Sequence, residues 1–132
     1  MNRNKLIRIA SLFGVLAVIL GAFGAHTLKT LLTPDQLQSY ETGVRYQFYH
    51  TFAILICALL TDKVVSSKLN MAAGSFIAGI LLFSGSIYML SLKSLFGIES
   101  LSWLGPITPI GGVLFIVGWV FVFLSAKNET SK

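Results

Sequence analysis

IASLFGVLAVILGAFGAHTL, residues 9–28, contains not one Asp, Glu, Lys or Arg. A bilayer core is ~30 Å thick, and about 20 apolar residues of helix cross it. A water-soluble helix of this length would carry a polar face, because only one stripe of it is buried. Three further stretches without a charged residue follow, residues 46–61, 69–92 and 100–126. The expectation is therefore an all-α membrane protein: a four transmembrane helix bundle with a short amphipathic interfacial helix after the first span. The spans are placed at about 7–27, 45–61, 69–92 and 105–126, within one integral membrane domain covering residues 1–132.

Composition limits what else the chain can hold. Of its 132 residues 55% are hydrophobic and 11% charged, and the mean hydropathy is +0.79. Four spans and short connections use nearly all of the length, which leaves no room for a soluble catalytic module. The net charge of +5 does not point to nucleic acid, because the basic residues sit at the ends of apolar runs and not on one face. They set orientation instead. Arg3, Lys5, Arg8, Lys63, Lys68, Lys127 and Lys132 fall on one side, against Lys29, Arg45 and Lys93 on the other. Cytoplasmic loops are enriched in Lys and Arg, so both termini and the 62–70 connection are expected in the cytoplasm. The basic start followed by an apolar run also resembles a signal peptide. The run is long for one, and a retained first helix fits better beside three more spans. Cys57 is the only cysteine, so no intramolecular disulfide can form, and it reads as a small packing residue.

The first connection has structure of its own. Thr33-Pro34-Asp35-Gln36 is a helix start, with Thr33 as N-cap, Pro34 at the first helical position and Gln36 completing a capping box. Leu37, Tyr40 and Val44 then fall on one face, while Glu41 and Arg45 form a favourable i,i+4 pair. Two forms fit: an interfacial helix bent at Gly43 into the second span, or one unbroken helix from residue 34 to 61. Thr108-Pro109 is a second start, with Thr108 as the cap of the last helix and an interfacial turn before it anchored by Trp103. Small residues recur four apart in the first span, with one interruption in phase (Ala10, Gly14, Ala17, Gly21, Ala25), a stripe suited to close helix packing.

Counted at ~1.5 Å of rise per residue, the polar residues of all four spans occupy one layer in the outer third of the membrane. The candidate cluster is His26, Arg45, Tyr46, Gln47, His50, Ser84, Ser86 and Thr108. It is expected to centre on His50, with Tyr46, Gln47, Ser84 and Ser86 facing inward. Gly85, Gly111 and Gly112 are expected to let the third and fourth spans close on it. Serines within a span most simply bond back to carbonyls of the preceding turn.

The layer holds GAFGAH (residues 21–26), RYQFYH (45–50), FSGSIY (83–88) and GPITPIGG (105–112). With these motifs in order and at suitable spacing, the chain resembles the small membrane proteins of domain of unknown function family 423, whose animal relatives include transmembrane protein 256. The family pattern usually reads GAFGAHGL, and here Thr27 stands in place of that glycine. The resemblance implies a bacterial inner-membrane protein of several helices and supplies no reaction, substrate or catalytic residue. Without a Ser-His-Asp set, phosphate loop or paired carboxylates, enzymatic activity is not expected. Three functional classes follow in order. A non-catalytic bundle comes first, with the bilayer, other membrane proteins or its own copies as partners and no cofactor. A small-solute transporter or channel component with an outer-leaflet polar pocket is second. A bis-His heme carrier using His26 and His50 ranks third, since no third histidine, Cys-x-x-Cys-His or carboxylate cluster supports a metal site.

Overall fold

The computed structural model describes residues 1–61 and 66–126. Lys63, Lys127 and Lys132, three of the residues on which the orientation argument draws, lie outside the described residues. Within them the chain is all helical, with no strand. Helix α1 (Arg3–His26) starts at Asn2, whose side chain accepts from Lys5 N at 2.8 Å. A 3-10 turn (Leu28–Thr30) leads to α2 (Pro34–Leu60). The third rod is two α segments, α3 (Ser66–Gly79) and α4 (Gly85–Leu92), joined by a π turn (Ile80–Ser84). A 3-10 segment (Glu99–Leu104) then leads to α5 (Ile107–Ser125).

Three of the four rods are long and apolar enough to cross a membrane: residues Arg3–Thr30, Ser67–Leu92 and Glu99–Ser125. The second, α2, carries the charges of its opening turns and the buried Gln47, His50 and Thr51. It lies inside the array, packed on α1 along one side and on α3 and α4 along another, while α5 packs mainly on α3 and the π turn. Gln47, His50 and Thr51 of α2 are thus buried against protein where an outer helix would meet lipid.

Of the two forms open to the first connection, the chain adopts the unbroken helix. The capping box is present, with Gln36 N donating to Thr33 Oγ1 at 3.3 Å and Thr33 N to Gln36 Oε1 at 3.0 Å. Gly43 does not bend the helix; its carbonyl is engaged by a serine of the π turn. The Leu37, Tyr40 and Val44 stripe packs on Leu20, Leu28, Leu32, Tyr88 and Leu92, so its apolar face is taken up by protein and not by an interface. Arg45 Nη2 donates to Thr42 Oγ1 at 3.2 Å, and the expected pair with Glu41 is not formed among the described residues.

Two end-to-end contacts fix the antiparallel order. The Met1 nitrogen donates to Asn70 Oδ1 at 3.1 Å, which places the starts of α1 and α3 at one end. Gln36 Nε2 donates to Ser94 Oγ at 3.2 Å, which ties the start of α2 to the connection after α4 at the other. That connection turns at Gly97, whose φ of 65° favours glycine, and is held by Lys93 Nζ against Glu99 Oε2 (3.3 Å) and Ser102 Oγ (2.9 Å).

Small residues make the core tight toward the end that holds Met1 and Asn70. Ala10, Ala53, Cys57, Ala58, Ala72 and Ala73 are buried there with Leu6, Ile54, Leu69 and Phe76. The small stripe of α1 is used in this way in part: Ala10 and Ala17 are buried against α2, Gly14 and Gly21 are half-buried and Ala25 is exposed, while Gly24, outside the stripe, is buried. Gly24 of the GAFGAH motif seats the Tyr40 ring, because a Cβ there would come within 2.7 Å of Tyr40 Cε1.

Candidate functional site: a polar and aromatic layer between the helices

Gln47 joins three rods. It is 3% exposed, its Nε2 donates to the Phe13 carbonyl of α1 at 2.8 Å, and its Oε1 accepts from the Tyr88 hydroxyl of α4 at 2.7 Å. One helical turn further on, Thr51 donates back to the Gln47 carbonyl at 2.7 Å. Tyr88 also packs on Tyr40 (5.2 Å between ring centroids), and the Tyr40 hydroxyl donates to the Leu20 carbonyl at 2.7 Å.

His50 forms the second focus. Its Nδ1 lies 2.7 Å from the Tyr46 carbonyl and its Nε2 3.3 Å from Trp119 Nε1. A carbonyl only accepts and an indole N–H only donates, so the partners select the neutral tautomer with its proton on Nδ1. The ring lies flat on Phe115 at 3.5 Å and 4°, with Phe76 at 5.4 Å. Tyr46 and Phe83 (4.8 Å) continue the aromatic packing toward Phe115.

The π turn distributes the serines. Ser84, fully buried, donates across to the Gly43 carbonyl of α2 at 2.7 Å. Ser86 bonds back to the Leu82 carbonyl at 2.5 Å and shares a 2.6 Å bond with Thr108 Oγ1 of α5. Two residues apart on a helix do not share a face, so Ser84 holds α2 while Ser86 holds α5. The expectation that serines bond back within their own helix is met by Ser86 and not by Ser84. The turn is also where α5 comes nearest: a Cβ on Gly111 would overlap Phe83 N and lie 2.7 Å from Phe83 Cβ. Gly112 has only ordinary contact with Phe83 and Gly85 has nothing within 4 Å, so of the three expected glycines only Gly111 is required for the approach. Local π geometry of this kind is frequent where a helix carries function.

The expected cluster therefore separates into two parts. Gln47, His50, Ser84, Ser86 and Thr108 enter the interhelical bonding. His26 is exposed at the end of α1, where its position in the last turn suits the helix dipole, and Arg45 is exposed on α2. Tyr46 is 39% exposed; its carbonyl and ring take part, but its hydroxyl has no hydrogen-bond partner among the described residues. The expected inward-facing Tyr46 is met by its ring, which packs on His50, Phe83 and Phe115, and not by its hydroxyl; the interior hydrogen bonds go to Gln47. Thr108 does not cap α5, which begins one residue earlier with Pro106 as its N-cap and no side-chain cap bond. Its hydroxyl is used by Ser86 instead. Tyr88, Tyr40 and Trp119 were absent from the expected cluster. Tyr88 lies at the same counted depth as its members, which is the signal that could have found it, whereas Tyr40 falls in the first connection, beyond the counted layer. Trp119 lies deeper, in a stretch that reads as plain lipid-facing helix.

Chemically the layer is closed. Among the described residues no fully buried side-chain nitrogen or oxygen lacks a hydrogen-bond partner, and no group of three or more His, Cys, Asp or Glu could hold a metal ion. Both ring nitrogens of His50 are engaged, and its bonding does not reach His26.

Residues 20–112 match the family model described as protein of unknown function, DUF423. The chain is 40% identical over 121 residues to the UPF0382 membrane protein YwdK of Bacillus subtilis, covering 91% of this chain and 94% of that one. It is 42% identical over 120 residues to a UPF0382 membrane protein of Haemophilus influenzae (89% and 90%). To the UPF0382 inner membrane protein YgdD of Escherichia coli it is 34% identical over 132 residues (100% and 96%). No solved structure matches. The motifs singled out above lie within the matched residues, relatives of nearly equal length are named as bacterial membrane proteins, and the chain belongs to the DUF423 family of membrane proteins.

Proposed function

We propose that this is a small non-catalytic membrane protein that acts through contacts with other membrane proteins, or with further copies of itself, in an accessory or assembly role. One observation carries the reading: of the seven buried polar side chains among the described residues, the four at the centre of the layer, Gln47, His50, Ser84 and Ser86, are used in joining helices to one another. What the molecule has left to offer is its outer surface. Leu12, Val15 and Ile19 on α1, and Val113, Ile116 and Phe123 on α5, are exposed. Photo-crosslinking residues placed at Ile19 and Ile116 in native membranes test the proposal. A discrete protein adduct from one of these faces is expected; adducts with lipid alone from both would refute it.

The transporter reading is favoured by one feature, an open cleft of about 380 Å³ at the end of the bundle that carries Asp35 and Thr108. Beyond it the rods close on Ser84 and Gly43 and then on the small-residue core, which argues against a through path. Solute flux in proteoliposomes decides between the two readings. The heme carrier is the weakest, since a ligand iron would displace Tyr46 or Trp119 from His50; an absorbance spectrum of the purified protein tests it.

In the proposed topology the chain crosses four times as one membrane domain, with both termini and the 62–70 connection in the cytoplasm. The even number of antiparallel rods and the seven-to-three basic bias support this. Single cysteines at Ser67 and Ser94, in a Cys57→Ala background, should label from inside and outside respectively. Labelling of position 67 in intact cells would reverse the assignment.

A further inference from the structure

The cleft is walled by Asp35, Gln36 and Ser39 of α2, by Ile87, Leu90 and Ser91 of α4, and by Thr108 of α5. Its volume falls within the range of small-molecule sites. Ser91 is 4% exposed, yet its hydroxyl has no hydrogen-bond partner among the described residues. Elsewhere in the interior, polar side chains of this depth are bonded to protein, so Ser91 stands apart in presenting a free donor and acceptor to an open cavity. Asp35 is the one charged residue on the wall and is exposed. Ile87 and Leu90 form an apolar strip beside these groups, and the first turn of α5 adds backbone N–H groups with no side-chain cap.

We infer that this cleft binds the headgroup of a phospholipid bearing a primary ammonium, of the ethanolamine type. The ammonium is placed at Asp35, with a second hydrogen bond to the free Ser91 hydroxyl. A primary ammonium has three donors for these oxygens, whereas a trimethylammonium has none, and no aromatic ring lines the cleft to hold one by cation–π attraction. A lone carboxylate on the wall also disfavours a headgroup of net negative charge. The phosphate faces the uncapped first turn of α5, as helix N-termini favour anions. The acyl chain leaves along Ile87 and Leu90 toward the surrounding hydrocarbon, and this strip is the reason to assign a lipid and not a free phosphoamine. The site is independent of the contact role proposed above, and its failure would leave that role untouched.

The test is binding to the purified full chain in detergent, read by native mass spectrometry. The probes are phosphatidylethanolamine, phosphatidylcholine, phosphatidylglycerol and soluble phosphoethanolamine. Phosphatidylethanolamine should bind roughly tenfold more tightly than phosphatidylcholine, the worth of one charge-assisted hydrogen bond. Asp35→Asn should remove most of that preference, and Ser91→Val should weaken binding several-fold while leaving the unfolding midpoint in place. Leu90→Trp, which fills the cleft without touching a polar group, should abolish binding and guards against a folding defect in the other two variants. Equal binding of the ethanolamine and choline lipids, stronger binding of the glycerol lipid, or unchanged binding in all three variants would each overturn the inference. Soluble phosphoethanolamine binding as tightly as the lipid would overturn the lipid assignment.

Discussion

Gln47→Leu preserves the approximate volume of the side chain and removes the amide that joins α1, α2 and α4. The Phe13 carbonyl stays within its own helix, so its loss of the 2.8 Å bond costs little beyond the bond itself. The Tyr88 hydroxyl is different, because its 2.7 Å partner is gone and it faces the interior. Hydrogen bonds between membrane helices average ~0.6 kcal/mol, and a stranded polar group adds ~1–3 kcal/mol. The sum is a loss of about 2–4 kcal/mol, which for a chain of this size lowers the unfolding midpoint by roughly 10 °C. Tyr88→Phe alone should cost about 1–2 kcal/mol, since it strands only the Gln47 oxygen. The double variant has no stranded hydroxyl and should be less damaged than the sum of the singles by ~1 kcal/mol or more. Thermal unfolding followed by far-ultraviolet circular dichroism in detergent measures all three. Strict additivity, within ~0.5 kcal/mol, would mean that the two side chains do not act as a pair and would refute the network.

His50→Leu should cost about 1–3 kcal/mol by leaving the Trp119 indole N–H without its acceptor, whereas His26→Leu, at an exposed helix end, should stay within ~0.5 kcal/mol; equal, negligible effects in the same assay would remove the structural role of His50. Gly111→Ala should cost ~1–3 kcal/mol, because the new methyl group meets backbone atoms of Phe83 that cannot rotate away, while Gly85→Ala, with open space around it, should be nearly neutral. Thr33→Ala should loosen the first turn of α2 by ~0.5–2 kcal/mol, seen as faster hydrogen exchange at residues 35–38 with little change deeper in the helix.

The membrane character of this chain was legible without coordinates, because the absence of charge over twenty residues has only one solvent that suits it. So was the capping box at Thr33 and Gln36, which depends on residues three apart, and so in part was the role of the small stripe of α1, at Ala10 and Ala17. The identity of the polar layer was half legible. Counting rise per residue put Gln47, His50, Ser84, Ser86 and Thr108 at related heights, but height says nothing about direction around a helix. Direction was decided by packing: Gln47 turned inward while Tyr46 beside it stayed partly outside, and Ser84 and Ser86 were sent to different neighbours across a π turn that no spacing announced. Trp119 became the partner of His50 only because α5 can press close to the third rod where Gly111 meets Phe83. Whether α2 bends at Gly43 was likewise settled by tertiary contacts, since Tyr40 finds its seat on Gly24 and its acceptor at Leu20 only if the helix runs straight. Short-range chemistry and solvent preference are written along a chain; the rotation of each helix about its own axis is fixed only when every polar group must find a partner at once.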